Sequence, residues 1–242
     1  MNKNHHAFQL WENGQLNEAV QLLFKEIDRN EENSNSYCNL ASILILAKKY
    51  DDAQAVLETA LKKYQDHVEL VYTFGNLYYY KNNPIKALEY YHQVFNGNET
   101  NLKNDALIMI GQCHLLLNEP KKALVYLLTA YENDEKDISL IILLGDCMMQ
   151  TNHFEKAKNY FMKALEQSSN NDEVLFKRGL VGAALKEDPM IVNNFFERSK
   201  KLDPENYIKR LQQLKNSEAF VNSQQKKRQT LIKNELNDRK DE

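Results

Sequence analysis

Residues Ile138–Asn170 read ISLIILLGDCMMQTNHFEKAKNYFMKALEQSSN. Ile141, Leu144, Gly145 and Met148 fall at i, i+3, i+4 and i+7, one face of a helix. A polar turn follows at Thr151 to Phe154, and then Ala157, Phe161, Ala164 and Leu165 take up helical spacing again. This predicts two helices, A and B, joined by a short turn and meeting at Gly145 and Ala157. Their minimal side chains let the two axes approach, with Met148 and Phe161 beside the contact. A larger residue at Gly145 is expected to overpack it at a cost of about 1–3 kcal/mol.

The same stretch recurs. Small residues stand at Ala19, Ala53, Ala87, Ala123 and Ala157, in steps of 34, 34, 36 and 34. A second ladder, Ala41, Gly75, Gly111, Gly145 and Gly179, steps by 34, 36, 34 and 34. Two ladders in one period predict a stacked array of helix pairs, since a single pair cannot bury its apolar face alone. Repeats run over 1–32, 35–67, 68–102, 104–136, 138–170 and 172–204. The 36-residue step places two extra residues near Asn96 to Lys103, where a longer loop is expected. Pro84, Pro120 and Pro189 stand where each helix B should start, a position that has no intrahelical use for an amide hydrogen. Repeat 6 carries one extra residue in its turn. Past Pro204, Tyr207, Leu211 and Leu214 form an apolar stripe that predicts a capping helix over 205–222, and 223–242 reads as a charged, frayed or disordered tail.

Tyr37, Leu40 and Ala41 at the head of repeat 2, and Leu202-Asp203-Pro204 closing repeat 6, complete a pattern that resembles the tetratricopeptide repeat over residues 1 to about 204. No repeat carries that family's tryptophan, and only repeat 6 has its closing proline. The resemblance implies an all-α, right-handed superhelical solenoid of about six helix pairs with a C-terminal capping helix. In general look the chain is similar to small, repeat-only bacterial members from low-GC Gram-positives.

Composition excludes little but points one way. A formal charge of −3 over 242 residues gives no global pull toward nucleic acid. The polar start, MNKNHHAFQL, lacks a signal-peptide core, and the apolar run Ile138 to Leu144 is too short to span a bilayer. Three separated cysteines form no disulfide framework or zinc cluster, which suits a cytoplasmic protein. No metal-binding His pair, phosphate-cradling glycine loop or nucleophile elbow is present, so no enzyme activity and no cofactor are expected. His114 occupies a slot that is Tyr78 one repeat earlier and is read as a packing residue.

The resemblance also implies a concave groove lined by helix A. Its slots fall on Asn39 and Ser42 in repeat 2, Tyr72, Asn76 and Tyr79 in repeat 3, and Ile108, Gln112 and Leu115 in repeat 4. Repeat 5 supplies Ile142, Asp146 and Met149, and repeat 6 supplies Phe176. An apolar stripe with a few polar anchors suits a peptide or segment of a partner protein, making the chain a scaffold or adaptor. A carboxylate clamp of the co-chaperone kind is not expected. Asn39 fits it, but Asn4, Phe8, Glu69 and Thr73 hold the companion slots and none is cationic. The alternative is RNA association through the tail, since residues 205–242 carry +3 and leave −6 on the rest.

Overall fold

The computed structural model describes residues 3–29, 34–65, 67–97 and 101–216, and these are all-α. The expected tail over 223–242 lies outside them. The helices are α1 (Lys3–Glu12), α2 (Leu16–Arg29), α3 (Ser34–Leu46), α4 (Tyr50–Lys63), α5 (Val68–Tyr80) and α6 (Pro84–Asn96). They continue with α7 (Lys103–Leu116), α8 (Pro120–Asn133), α9 (Ile138–Gln150), α10 (Phe154–Gln167), α11 (Asp172–Ala184) and α12 (Pro189–Leu202). A last helix, α13, covers 204–216. One compact unit ends at His153 and holds α1–α9; a second begins at Phe154 and holds α10–α13.

In the first unit each helix packs on the next, and α3 also lies against α1 and α5. The small-residue ladders explain the closeness of the pairs. A Cβ built on Gly75 would sit 2.5 Å from the Tyr91 ring, and one on Gly111 would sit 2.5 Å from Leu127. Each glycine thus receives a large side chain sixteen residues on. Ala19, Ala53, Ala87 and Ala123 are fully buried on the facing helices. The two extra residues of the fourth repeat fall between α6, ending at Asn96, and α7, starting at Lys103.

All six turns between helix A and helix B use one backbone device. Gly14, Lys48, Asn82, Asn118, Asn152 and Lys186 have φ between +56° and +79°. At each, the amide of the positive-φ residue donates to the carbonyl three back, as Asn82 does to Tyr79 at 2.9 Å. The next amide donates five back, as Asn83 does to Tyr78 at 2.9 Å. Paired bonds of this kind close a helix C-terminus in the Schellman manner and satisfy its last carbonyls. Glycine and asparagine take the left-handed conformation readily; Lys48 and Lys186 hold it against their side chains. The residue after the turn then starts helix B. Asn83 accepts from the Lys86 amide at 3.2 Å with Pro84 in the first turn, and Asp188 accepts from Met190 at 2.8 Å ahead of Pro189.

In the second unit α11 packs on α10 and α12, and a Cβ on Gly179 would meet the Phe196 ring at 2.7 Å. The extra residue of this turn is Glu187. Its carboxylate lies 2.8 Å from Arg178 Nη1 and 2.7 Å from Lys158 Nζ. The Nη1 approach is off-axis for a hydrogen bond, while Nη2 donates to Oε1 at 3.2 Å. Arg178 is 4% exposed and also rests over the Phe195 ring. The Arg178 guanidinium holds the Glu187 carboxyl below the usual range against the opposing effect of burial.

One sequence expectation fails here. Phe176, assigned to an open groove, is 3% exposed, with Phe196 and Tyr207 each 5.5 Å away between ring centres. Tyr207 comes from α13, and Arg210 of the same helix reaches Asp172 Oδ2 at 2.7 Å. The last helix A of an array has no following repeat to cover it, so α13 covers this end and uses the slot that Phe176 was expected to leave free.

Candidate functional site

Helices α1, α3 and α5 line an open groove of about 520 Å³, with Leu102 also on its wall. Asn39 and Ser42 from α3 and Tyr72 and Asn76 from α5 all line it, four of the twelve residues that the family resemblance assigned to a groove. The spacing is what brings them together. Positions 34 residues apart repeat the same orientation on successive A helices, so Ser42 and Asn76 stand side by side.

The polar groups of the wall differ in how far the fold already uses them. Ser42 Oγ donates to the Cys38 carbonyl at 2.8 Å, and Thr73 Oγ1 to the Glu69 carbonyl at 2.7 Å. Both hydroxyls are turned back onto their own helix. Asn76 Oδ1 accepts from the buried Tyr91 hydroxyl at 2.7 Å, which fixes the amide and leaves its NH2 group as the free end. The Asn39 side chain makes no hydrogen bond among the described residues. Tyr72 packs its ring 5.5 Å from that of Tyr91, and its hydroxyl is held neutral, by burial first and by Asp105 second. Burial also pushes the Cys38 thiol up to about 11, so it stands as a thiol at neutral pH and not as a nucleophile.

At the rim, Ser34 Oγ lies 2.8 Å from His67 Nε2, and His67 Nδ1 lies 2.8 Å from Glu69 Oε2. The sequence of groups is that of a hydroxyl relay, but its geometry is not. Ser34 is 7% exposed, and the Glu69 carboxylate is not aligned to accept from Nδ1. The trio ties the first turn of α3 to the residue that precedes α5. Among the described residues no three His, Cys, Asp or Glu side chains are grouped to hold a metal ion. His114 is 8% exposed, stacked on Tyr126 at 5.5 Å and bonded to Glu119 at 2.8 Å.

The remaining assigned residues lie outside the cavity. Tyr79 meets Tyr80 edge-on at 5.6 Å and packs on the cluster around Tyr91 and Cys113. Ile108, Gln112 and Leu115 on α7, and Ile142, Asp146 and Met149 on α9, are partly exposed. Phe176 is enclosed, as described. Conversely, His5, Asn35 and Leu102 line the cavity without having been assigned. His5 stands 34 residues before Asn39, so extending the ladder into repeat 1 would have found it. Leu102 follows the two extra residues and has no ladder slot.

Two stretches, residues 10–74 and 138–171, match models of the tetratricopeptide repeat. No curated protein sequence matches the chain. Among solved structures it is similar to PilW, a type IV pilus biogenesis factor, with a TM-score of 0.74 at 17% identity over 84% of this chain and 93% of that one. It is similar to pilF of Pseudomonas aeruginosa, with a TM-score of 0.72 at 13% identity over 87% and 95% of the two chains. YrrB, described as a TPR protein with an unusual peptide-binding site, has a TM-score of 0.59 at 23% identity over 76% and 93%. Identities this low carry the fold alone. With its helix pairs and 34-residue period, and with residues 10–74 and 138–171 matched, the chain carries tetratricopeptide repeats and has the tetratricopeptide-repeat fold.

Proposed function

We propose that the protein is a non-enzymatic scaffold that holds an extended segment of a partner protein on its A-helix surface. The observation that carries this is the cavity between α1, α3 and α5, with its unengaged Asn39 amide and the oriented NH2 group of Asn76. A peptide main chain offers alternating carbonyls and amides, and side-chain carboxamides match both. Tyr72 adds aromatic area that is already ordered by Tyr91, so little side-chain freedom is lost on binding. From there the segment continues over Tyr79, Ile108, Gln112 and Leu115 and toward Ile142, Asp146 and Met149. The peptide-binding site ascribed to YrrB is consistent with this use of the fold.

Three thiols, none paired with another, fit a reducing compartment, and we place the protein in the cytoplasm on that ground. Among the described residues no helix is long and apolar enough to cross a membrane. The test is photocrosslinking from benzoylphenylalanine at position 42, followed by capture with Asn39→Ala/Tyr72→Ala and Tyr79→Ala/Leu115→Ala variants. The expected result is a crosslinked partner lost in both variants while helical circular dichroism stays intact. A partner captured equally by all three proteins would refute the groove.

A further inference from the structure

Among the described residues Glu69 is the carboxylate on the groove wall, and the inference that follows rests on the groove reading above. The His5 ring also lines the groove, and among the described residues no lysine or arginine does. Asp105, exposed in the first turn of α7 and outside the wall itself, opposes ionisation of the Tyr72 hydroxyl by its charge, and its carboxylate makes no hydrogen bond or ion pair among the described residues. Another acid, Asp137, acts on it unfavourably, and the Asp137 carboxylate accepts from the Leu140 amide at 3.1 Å. Partial desolvation, with Asp137 second, pushes the Asp105 carboxyl up from its ordinary value, a direction that a cation brought beside it would reverse. Among the described residues the Glu69 carboxylate has the His67 ring 2.8 Å away, off-axis, and no lysine or arginine in an ion pair with it. Lys103, the closest basic residue in sequence, is not on the wall.

The aromatic face beside these acids sharpens the chemistry. Tyr72 is held by Tyr91, and a tyrosine ring flanked by a carboxylate attracts a cation through both its quadrupole and the neighbouring charge. An acidic segment would meet the opposite situation, with a carboxylate brought among carboxylates and no counter-ion. We infer that the segment bound in the α1–α3–α5 groove presents a lysine or arginine to Glu69 across the face of Tyr72, with the exposed Asp105 adding its charge from beyond the wall, while Asn39 and Asn76 take its main chain.

The experiment pans a phage-displayed random dodecamer library on the full-length protein and measures the selected peptides by fluorescence polarisation. Lysine or arginine is expected in the selected peptides, and its replacement by norleucine or citrulline should abolish most of the binding. Glu69→Gln and Asp105→Asn should each weaken binding about fivefold, the upper range for a partly exposed ion pair. Raised salt should reduce the affinity of wild type more than that of the double variant. Asp105→Asn breaks no bond among the described residues, so it keeps the test decisive should Glu69→Gln disturb the His67 tie. Selected peptides without a basic preference, yet lost in Asn39→Ala/Tyr72→Ala, would overturn the cationic partner and leave the groove standing. Peptides indifferent to Asn39→Ala/Tyr72→Ala, or no binders at all, would overturn both.

Discussion

Replacing Gly111 by alanine tests the close packing on which every helix pair depends. The added Cβ would lie 2.5 Å from Leu127 Cδ2, 2.6 Å from Cγ and 3.4 Å from Cδ1. Carbon atoms pack at about 3.5–4.0 Å, so Leu127 must withdraw by about 1 Å. Leu127 has no exposed surface into which to withdraw, and the displacement passes to α8. Overpacking of this kind costs about 1–3 kcal/mol. Alanine offsets part of that, being about 1 kcal/mol better than glycine inside a helix. The single variant is therefore expected to lose only about 0–2 kcal/mol, too little to decide by itself. The decisive measurement is the same substitution in a Leu127→Ala background. Leu127→Ala alone should cost about 2–5 kcal/mol through the cavity it leaves. In that background the clash is gone, and Gly111→Ala should stabilise by about 1 kcal/mol. Urea unfolding of the four proteins, with unchanged denaturant slopes, gives the coupling, expected at about 1–3 kcal/mol. Equal effects of Gly111→Ala in both backgrounds, within about 0.5 kcal/mol, would refute the interlock.

Glu187→Gln should destabilise by about 3 kcal/mol at neutral pH, because it leaves Arg178 enclosed without its counter-charge. The Glu187 carboxyl is depressed below its ordinary 4.5, so its contribution is complete above that value and is lost as pH falls through the lower, folded-state value. The gap between wild type and variant in thermal melts should accordingly close in acid; a gap that persists there would contradict the ion-pair origin. Lys48→Asn and Lys186→Asn should each raise the urea midpoint, with a gain of about 0.5–1 kcal/mol from relief of the left-handed backbone. A loss in either variant would show that the lysine side chain matters more than its φ. Phe176→Ala should cost about 3–5 kcal/mol and open 204–216 to limited proteolysis, since Tyr207 and Arg210 lose the ring they rest on. Unchanged protection of that helix would mean that it is held elsewhere.

The period was legible because it rests on residues that packing leaves little choice about. A glycine such as Gly75 admits the Tyr91 ring, and no larger residue fits there without movement. The prolines at 84, 120 and 189 were equally readable, since their missing amide suits a helix start alone. Other features were concealed for identifiable reasons. The left-handed turn position shows itself as Gly14, Asn82, Asn118 and Asn152, but Lys48 and Lys186 interrupt it with a residue that carries no turn signal. The contact of Ser34 with His67 joins residues with no shared repeat slot. Phe176 misled because a ladder slot describes an interior repeat, whereas at the end of the array α13 occupies the same surface. Within the cavity, Asn39, Ser42, Tyr72 and Asn76 followed from the family resemblance carried onto the period; which of their polar atoms remain free depends on bonds such as Tyr91 to Asn76, which no spacing reveals.

The six Schellman turns have a consequence for how such a chain can change its length. Each reversal is closed by main-chain groups, so its geometry does not depend on which side chains flank it. Cutting after one left-handed residue and rejoining after the next, as in removal of 49–82, would therefore excise one interchangeable module and leave a chemically intact joint. Single-residue changes have no such freedom within a helix, where they would rotate every later side chain by about 100°. They are tolerated just beyond the joint, and the one that occurs there, at Glu187, has been put to use neutralising an arginine.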